Sequence, residues 1–436
     1  MLECPVGNPD IFILVFGIFW VVELKPFKRL RYNIEAVGSI GDVVTLPYDI
    51  ITPEKQERYY RQSEHNYVRL ILAREEDGDN GDSRYESARR TLDKWMAEGV
   101  LVEDEDPGLF IYEEEFDFNG GRKRQAGIVG LVKLEPFEKG VILPHEKVYN
   151  TAIEDRYSLL KATRSCLEMI IGVFSDRERR VLEVMRKYVS EAPELDFEHE
   201  DEVRHRLWKI TDKDDLDSVI SAFRDDKVII ADGHHRYTTA LKYYSDSGDE
   251  RAGYMLFLLW SMEDDLKVLP THRLLKRDSF DSTTLEGLEG FEVEDVDSGL
   301  EGLLARMGDS DESHVFGVYD GGFHLLKLVD GGHFVLDESK SMAWNGLDVN
   351  IMRSKIIKPL LSGENGECID RGDLAFTKDA RKAVEKVDAG EYDVAFFLNP
   401  PSIDEIRDVV DAGERMPQKS TYFYPKPLSG ILMCRL

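Results

Sequence analysis

The stretch KVIIADGHHRYTTALKYY, residues 227–244, restricts the fold more than any other part of the chain. Residues 228–231 are a short apolar, largely β-branched run, the pattern of a strand buried on both faces. Tyr237, Ala240, Leu241 and Tyr244 then recur at helical spacing. Only Asp232-Gly233-His234-His235-Arg236 separates the two patterns, so the strand runs almost directly into a helix. Glycine permits the tight turn, and the amides after it point out of a helix N-terminus, where the helix dipole favours an anion. Units of this kind build α/β folds, which collect ligands at the carboxyl ends of their strands.

Composition narrows the function. With 436 residues, of which 42% are hydrophobic and 32% charged, the chain can form two or three domains around a real core. A net charge of −29 speaks against a nucleic-acid partner, which needs a surplus of Lys and Arg along one face, but leaves room for a small cationic pocket. Cys4, Cys166, Cys368 and Cys434 form no CxxC pair, so neither a zinc knuckle nor a disulfide framework is indicated and a reducing cytoplasm is the expected location. The apolar run IFILVFGIFWVV at 11–22 is shorter than the roughly 20 residues that span a bilayer. The first ten residues hold Glu3 and Asp10 but no Lys or Arg, unlike a signal peptide. Residues 1–23 therefore read as an apolar extension without a membrane partner; the oligomeric state is unknown from sequence.

Strands are predicted over 42–46, 67–73, 109–118, 127–134, 141–146, 207–210, 254–261, 266–269 and 392–398. Helices are predicted over 53–61, 85–96, 157–169, 177–189, 212–223 and 347–361, and from a capping box of Ser402 with Glu405 up to Gly413. Asn119-Gly120-Gly121 signals a hairpin, with 122–125 lengthening its loop, and the acidic stretches 75–82 and 191–202 read as a loop and a connector. The domain reading is a main α/β domain over 24–277, a peripheral subdomain over 278–340, and a C-terminal α/β segment over 341–436 whose strap returns to the site.

Polar clusters terminate several predicted strands. Tyr48 and Asp49 follow the first, His145 and Glu146 close 141–146, and His272 and Arg273 follow 266–269. Gly233, His234 and Arg236 form the candidate phosphate cradle, with Arg236 supplying a guanidinium fork. Lys419, Ser420 and Thr421 lie between prolines in the strap and could close over phosphates, with Tyr422 or Tyr424 stacking on a base. Gly413 to Ser420 matches P-loop spacing except for Gln418 and follows a helix where a P-loop follows a strand, so that match is coincidental. Candidate substrate contacts are Tyr48, His145, Glu146, Lys161, Arg164, His272 and Arg273, the two cations of 157–169 projecting into the cleft. Asp232, Asp49 and His235 are the candidate catalytic residues, an aspartate orienting an acceptor or holding Mg²⁺ through nucleotide phosphates. Asp232 could equally N-cap its helix. Histidines at strand ends keep open a metal-dependent hydrolase of a small phosphorylated substrate, although no HxH or HExxH spacing occurs and no metal ligand is certain. A non-catalytic nucleotide or anion sensor would use the same pocket.

The blocks LKPFKRLRYN at Leu24, LPYDII at Leu46, ILPHE at Ile142, LLKATR at Leu159, ADGHHRYTTAL at Ala231, LPTHRLL at Leu269 and MPQKSTYFYPKPLSG at Met416 resemble, in that order, bacterial and archaeal proteins grouped as domain-of-unknown-function family 1015. Leu46 stands where that family usually has proline. The DGHHR block also resembles the phosphate-binding turn of the ParB and sulfiredoxin superfamily, which includes nucleotide-dependent kinases of free serine. These resemblances imply an α/β fold with a mixed sheet, a ParB/sulfiredoxin-like core and additional α+β elements. They also imply phosphoryl transfer from ATP or ADP, with Mg²⁺, to free L-serine or a similar hydroxyl compound.

Overall fold

The computed structural model describes residues 21–75, 84–118, 120–146, 150–224, 226–276, 280, 282–309, 314–329, 335–361 and 374–436. Residues 1–20 of the apolar extension, 76–82 of the acidic loop, Asn119 of the hairpin, and the proposed boundary at 277/278 lie outside them.

Alternating and continuous apolar runs assemble a large mixed sheet. Its spatial order is Ile142–Pro144, Val228–Asp232, Ile170–Phe174, Tyr254–Ser261, Gly121–Lys133, Leu109–Phe118, Arg204–Ile210 and Leu195–Glu198, with Leu24–Lys25 also paired to Gly121–Lys133. Val228–Asp232 runs parallel to Ile142–Pro144, and Tyr254–Ser261 parallel to Ile170–Phe174; the other pairings are antiparallel. Strands at the centre are buried throughout, as in Ile170–Phe174, because helices and the C-terminal segment cover the sheet. A second, antiparallel sheet joins Phe291–Asp295, Phe323–Leu328, Val315–Tyr319, Val394–Phe397, His272–Leu275 and Leu374–Thr377. The strands of 278–340 thus share a sheet with strands that precede and follow them in sequence.

Residues 416–436 bind these parts together. Met416 donates its amide to the His145 carbonyl at 2.7 Å, Tyr422–Tyr424 pairs with Lys267–Leu269, and Ser429 exchanges backbone hydrogen bonds with Thr45. Farther on, Met433 accepts from Leu30, and Cys434 lies opposite Cys166. Phe423, Leu428 and 431–434 are buried in the core. The strap is therefore structural as well as close to the polar strand ends.

Several local expectations are corrected. Residues 42–46 form a turn, with the amides of Val43 and Val44 both donating to the Ile40 carbonyl at 3.1 Å, and only Thr45 bridges a strand-like partner. The run 67–73 contains a one-turn helix, Val68–Ile71, started by the Asn66 side chain accepting from Val68 at 3.1 Å; short apolar runs buried all round carry no period that separates strand from helix. The helix expected over 157–169 spans Asn150–Thr163 and stops where Arg164 takes φ 48°, leaving Ser165–Cys166 and Ile170–Phe174 as strands. Residues 122–125 belong to the strand Gly121–Lys133, held across the hairpin by Arg122 and Arg124 on Glu115 at 3.0 and 2.8 Å. The 191–202 connector includes a strand, Leu195–Glu198. Pro53–Gln62, Arg84–Ala97, Lys213–Ala222 and the capping box at Ser402 follow the sequence reading.

The central hairpin offers a test of how tightly the sheet is packed. A methyl group on Gly127 would stand 2.6 Å from Trp260 Cδ1 and 2.7 Å from the Leu259 carbonyl oxygen, whereas one on Gly121 would meet only the Phe118 carbonyl at 3.9 Å. Gly127→Ala is expected to destabilise the protein by about 1–3 kcal/mol in urea denaturation, and Gly121→Ala by less than about 0.5 kcal/mol.

Candidate active site

The strand Val228–Asp232 ends in the turn that starts the helix His234–Ser247, and Gly233 makes the turn with φ 96°. No side chain caps that helix, so Asp232 is not its N-cap. Asp232 instead accepts from Lys426 Nζ at 2.6 Å and from Arg236 Nη2 at 2.6 Å. Burial opposes its ionisation, but Lys426 and Arg236 outweigh burial and hold its carboxyl well below the usual aspartate range. Arg236 also donates to the Met169 carbonyl and folds back over Gly233, where an added Cβ would meet Arg236 Nε at 3.0 Å. The expected open guanidinium fork is thus corrected: Arg236 is nearly buried and its hydrogen bonds go to the protein, leaving its field and the uncapped amides to act on the cavity.

Two connected cavities meet at this turn. The inner one, of about 140 Å³, is lined by Tyr48, Asp49, Glu146, Gly233, His235 and Lys419 among others, with Asp232, His234 and Arg236 also at its wall. The outer cleft, of about 890 Å³, shares Asp49, Glu146, Asp232, His234 and Lys419 with it. Into this cleft also project Lys55, Lys378, Lys382 and Lys426, together with Thr421, Tyr422 and Tyr424. The cleft thus gathers Lys55, Lys378, Lys382, Lys419 and Lys426 beside the carboxylates of Asp49, Glu146, Asp201 and Asp232, a local concentration of lysines in a chain of net charge −29.

Surrounding groups fix these side chains. The ring of His145 is buried; its Nδ1 donates to the Ile230 carbonyl at 2.5 Å, and its Nε2 lies 2.8 Å from Thr421 Oγ1. His234 Nε2 accepts the His145 amide at 3.2 Å, and burial followed by His145 lowers its pKa well below the ordinary histidine value, leaving it neutral. Glu146 Oε1 lies 3.4 Å from Thr421 Oγ1. Tyr48 is held by its amide donating to Glu168 Oε1 at 3.1 Å and by Arg156 standing 4.1 Å from its ring centroid, and burial pushes its phenol up to about 12. Arg273 donates to the Lys419 carbonyl at 3.2 Å, supporting a residue that takes φ 59°, a left-handed conformation uncommon outside glycine. Burial lowers Arg273 to about 10.

The other expected contacts lie elsewhere. Arg164 is exposed on the surface near Asp249, and Lys161 is exposed and lines none of these cavities, so neither cation projects into the cleft. The helix ends before Arg164, and Lys161, inside it, is on its exposed face. His272 is buried, accepts the Leu398 amide at 3.4 Å and packs against Phe397; burial, then Arg273, lowers it to about 4. Ser420 donates to the Pro417 carbonyl at 2.5 Å and, like Arg273, lines a neighbouring cavity of about 140 Å³. His145 and His234 lie side by side, but His145 Nδ1 and His234 Nε2 are both committed to backbone groups and His272 bonds elsewhere, to the Leu398 amide; among the described residues no group of three His, Cys, Asp or Glu side chains is placed to hold a metal ion. Sequence reasoning missed Lys55, Lys378, Lys382 and Lys426, and also Glu168. Lys426 alone had a local signal, its place within the strap beside Tyr424.

Asp232→Asn leaves Lys426 and Arg236 without their counter-charge and is expected to cost about 3 kcal/mol of stability at pH 7 by urea denaturation. The native carboxyl ionises below the ~3.9 of an unfolded aspartate, so its contribution is complete above about pH 4 and is lost as pH falls toward the depressed native value. The stability gap between wild type and variant should hold from about pH 7 to pH 5 and close on further acidification.

Comparison with known proteins bears on the fold. The chain is similar to a conserved hypothetical protein from Pyrococcus furiosus, at 16% identity over 69% of this chain and 92% of that one, TM-score 0.32. It is also similar to a free serine kinase in complex with AMP, at 15% identity over 69% and 90% of the two chains, TM-score 0.34. A mutant free serine kinase in complex with ADP matches at 14% identity over 69% and 91%, TM-score 0.34. No curated protein sequence matches. A family model described as protein of unknown function, DUF1015, matches residues 24–350, and the chain belongs to that family.

Proposed function

We propose that the cleft binds a nucleotide and a small hydroxyl compound and transfers a phosphoryl group from ATP or ADP to that hydroxyl, with free L-serine as the leading acceptor. The observation that carries this reading is the meeting of Lys419 with the carboxylates of Asp49 and Glu146 beside one uncapped helix start, in a cavity that adjoins a cleft lined by Lys378 and Lys426. Phosphoryl transfer demands that arrangement: positive charge for the phosphate oxygens, a hydroxyl held in line, and a carboxylate to orient it or take its proton.

Asp49 is exposed in the inner cavity and is the group assigned to the acceptor hydroxyl. Glu146, steadied by Thr421, is the second carboxylate in reach of the same space. Asp232, with both oxygens engaged, organises the cations and is not a free base. Lys419 and the amides of residues 234–236 face the transferring group, while Tyr422 and Tyr424 offer flat faces for a base. Asp49 and Glu146 also fit the hard-oxygen preference of Mg²⁺, which commonly takes one or two carboxylates and completes its shell from phosphates and water. Such an ion would neutralise charge on the phosphates; positioning the acceptor remains the work of the side chains.

Incubation of the purified protein with ATP or ADP, Mg²⁺ and a panel of amino acids is expected to yield O-phosphoserine. Asp49→Asn should lower kcat by about 10²–10⁴-fold while nucleotide Kd changes less than about threefold. Lys419→Ala should weaken nucleotide binding about tenfold. Nucleotide binding without transfer to any hydroxyl compound would replace the kinase by a non-catalytic sensor.

A further inference from the structure

Lys378 follows the strand Leu374–Thr377 and lies beyond residue 350, where the family match stops. Its ammonium donates to the Tyr422 hydroxyl at 2.8 Å, standing 4.0 Å from that ring's centroid and 5.6 Å from that of Tyr424. An ammonium carries three N–H donors and accepts nothing. Among the described residues no carboxylate forms an ion pair with it. The remaining donors are open to the cleft that Lys378 and Tyr422 both line. The same bond orients the phenol: because the Tyr422 oxygen accepts from Lys378, its own O–H is turned away from the ammonium and is free to donate elsewhere.

Lysines crowd this part of the cleft, and Asp201, which also lines it, is not within ion-pair distance of Lys378. Lys426 is neutralised by Asp232 at 2.6 Å, and Lys55 and Lys382 have carboxylates only at 3.8 and 3.9 Å. Partial desolvation, then Lys426, Lys382 and Lys55, lowers the Lys378 ammonium to about 8 against the pull of Asp201. A cation kept in such company is completed by an anion from outside the chain.

We propose that Lys378 and Tyr422 form a second anion-binding position in the cleft, distinct from the helix start at Gly233, and that it takes an outlying phosphate of a polyphosphate ligand such as a nucleoside diphosphate. The choice of a nucleotide rests on the function proposed above; the anion position rests on the geometry. Two features favour a phosphate over the carboxylate of an acceptor. The inner cavity, with Asp49, Glu146 and Gly233, does not include Lys378, so the pair lies outside the space where the acceptor and the transferring group meet. A point-like ammonium beside a hydroxyl donor suits a tetrahedral oxyanion, whereas planar carboxylates are met best by an arginine fork. Lys426, paired with Asp232 at 2.6 Å and 4.7 Å from the Tyr422 ring centroid, links the two positions.

Calorimetric titration of the full chain with inorganic phosphate and with pyrophosphate tests the position without relying on turnover. Pyrophosphate is expected to bind at least about tenfold more tightly than phosphate. Lys378→Met should abolish that advantage and leave phosphate binding within about twofold, Lys378→Arg should restore most of it, and Tyr422→Phe should weaken pyrophosphate binding a few-fold. Equal affinity of the wild type for the two anions, or wild-type pyrophosphate binding by Lys378→Met, overturns the proposal. The O-phosphoserine assay separates the two ideas. Phosphoserine formed by Lys378→Met with an unchanged KM for the donor removes the second position and keeps the kinase. Loss of the pyrophosphate advantage in Lys378→Met, from a wild type that phosphorylates nothing, keeps the position and removes the kinase.

Discussion

The placement of Asp232 between Lys426 and Arg236 is the constraint on which the rest of the site depends. Asp232 sits where the strand Val228–Asp232 gives way to the helix His234–Ser247, and Lys426 arrives from the C-terminal strap. One carboxylate therefore joins the sheet, the helix start and the strap. It permits two cations to stay largely buried, and the surrounding low dielectric strengthens each attraction while raising the penalty for losing one. With Arg236 tied to Asp232 and to the Met169 carbonyl, the helix amides and Lys419 are left to face the inner cavity.

The same arrangement reassigns roles among groups of similar chemistry. Asp232, Arg236, His145 and His272 are polar and lie near the cleft or its neighbour, yet each has its hydrogen-bonding capacity committed to the protein. Asp49 and Lys419 form no ion pair with another described residue. Groups of the first kind shape the cavity and set its potential; groups of the second kind are free to meet a ligand. Glu146 stands between them, steadied by Thr421 but open to both cavities.

Much of this was legible in the sequence where chemistry was local. The turn at 232–236 could be read from a β-branched run, a glycine and a helical period within eighteen residues, and the capping residues Thr52 and Ser402 followed from their spacing. The polar end of the strand before Glu146 was legible for the same reason, whereas Asp49 reaches the cavity from a short helical turn and not from the strand expected before it. Arg164 was misplaced because it takes a left-handed conformation and ends the helix, which no local pattern announces for an arginine, and Lys161 lies on the helix's exposed face. The short run 67–73 failed for a different reason: burial on every side erased the period that distinguishes strand from helix. Lys378 and Lys382 could not be found at all, since they reach the cleft only through the pairing of Leu374–Thr377 with His272–Leu275.

The strap gives the cleft an unusual dependence on the order in which the chain is made. Thr421 meets His145 across 276 positions of sequence, and Lys426 meets Asp232 across 194. Contacts of such separation close large loops and form late. During synthesis the strand, the turn and the first turn of the helix leave the ribosome long before their counter-ion does. Until then Asp232 has only Arg236 beside it and the inner cavity has no Lys419 wall. The inner cavity therefore has its complete wall only in a chain whose C-terminal segment has already docked.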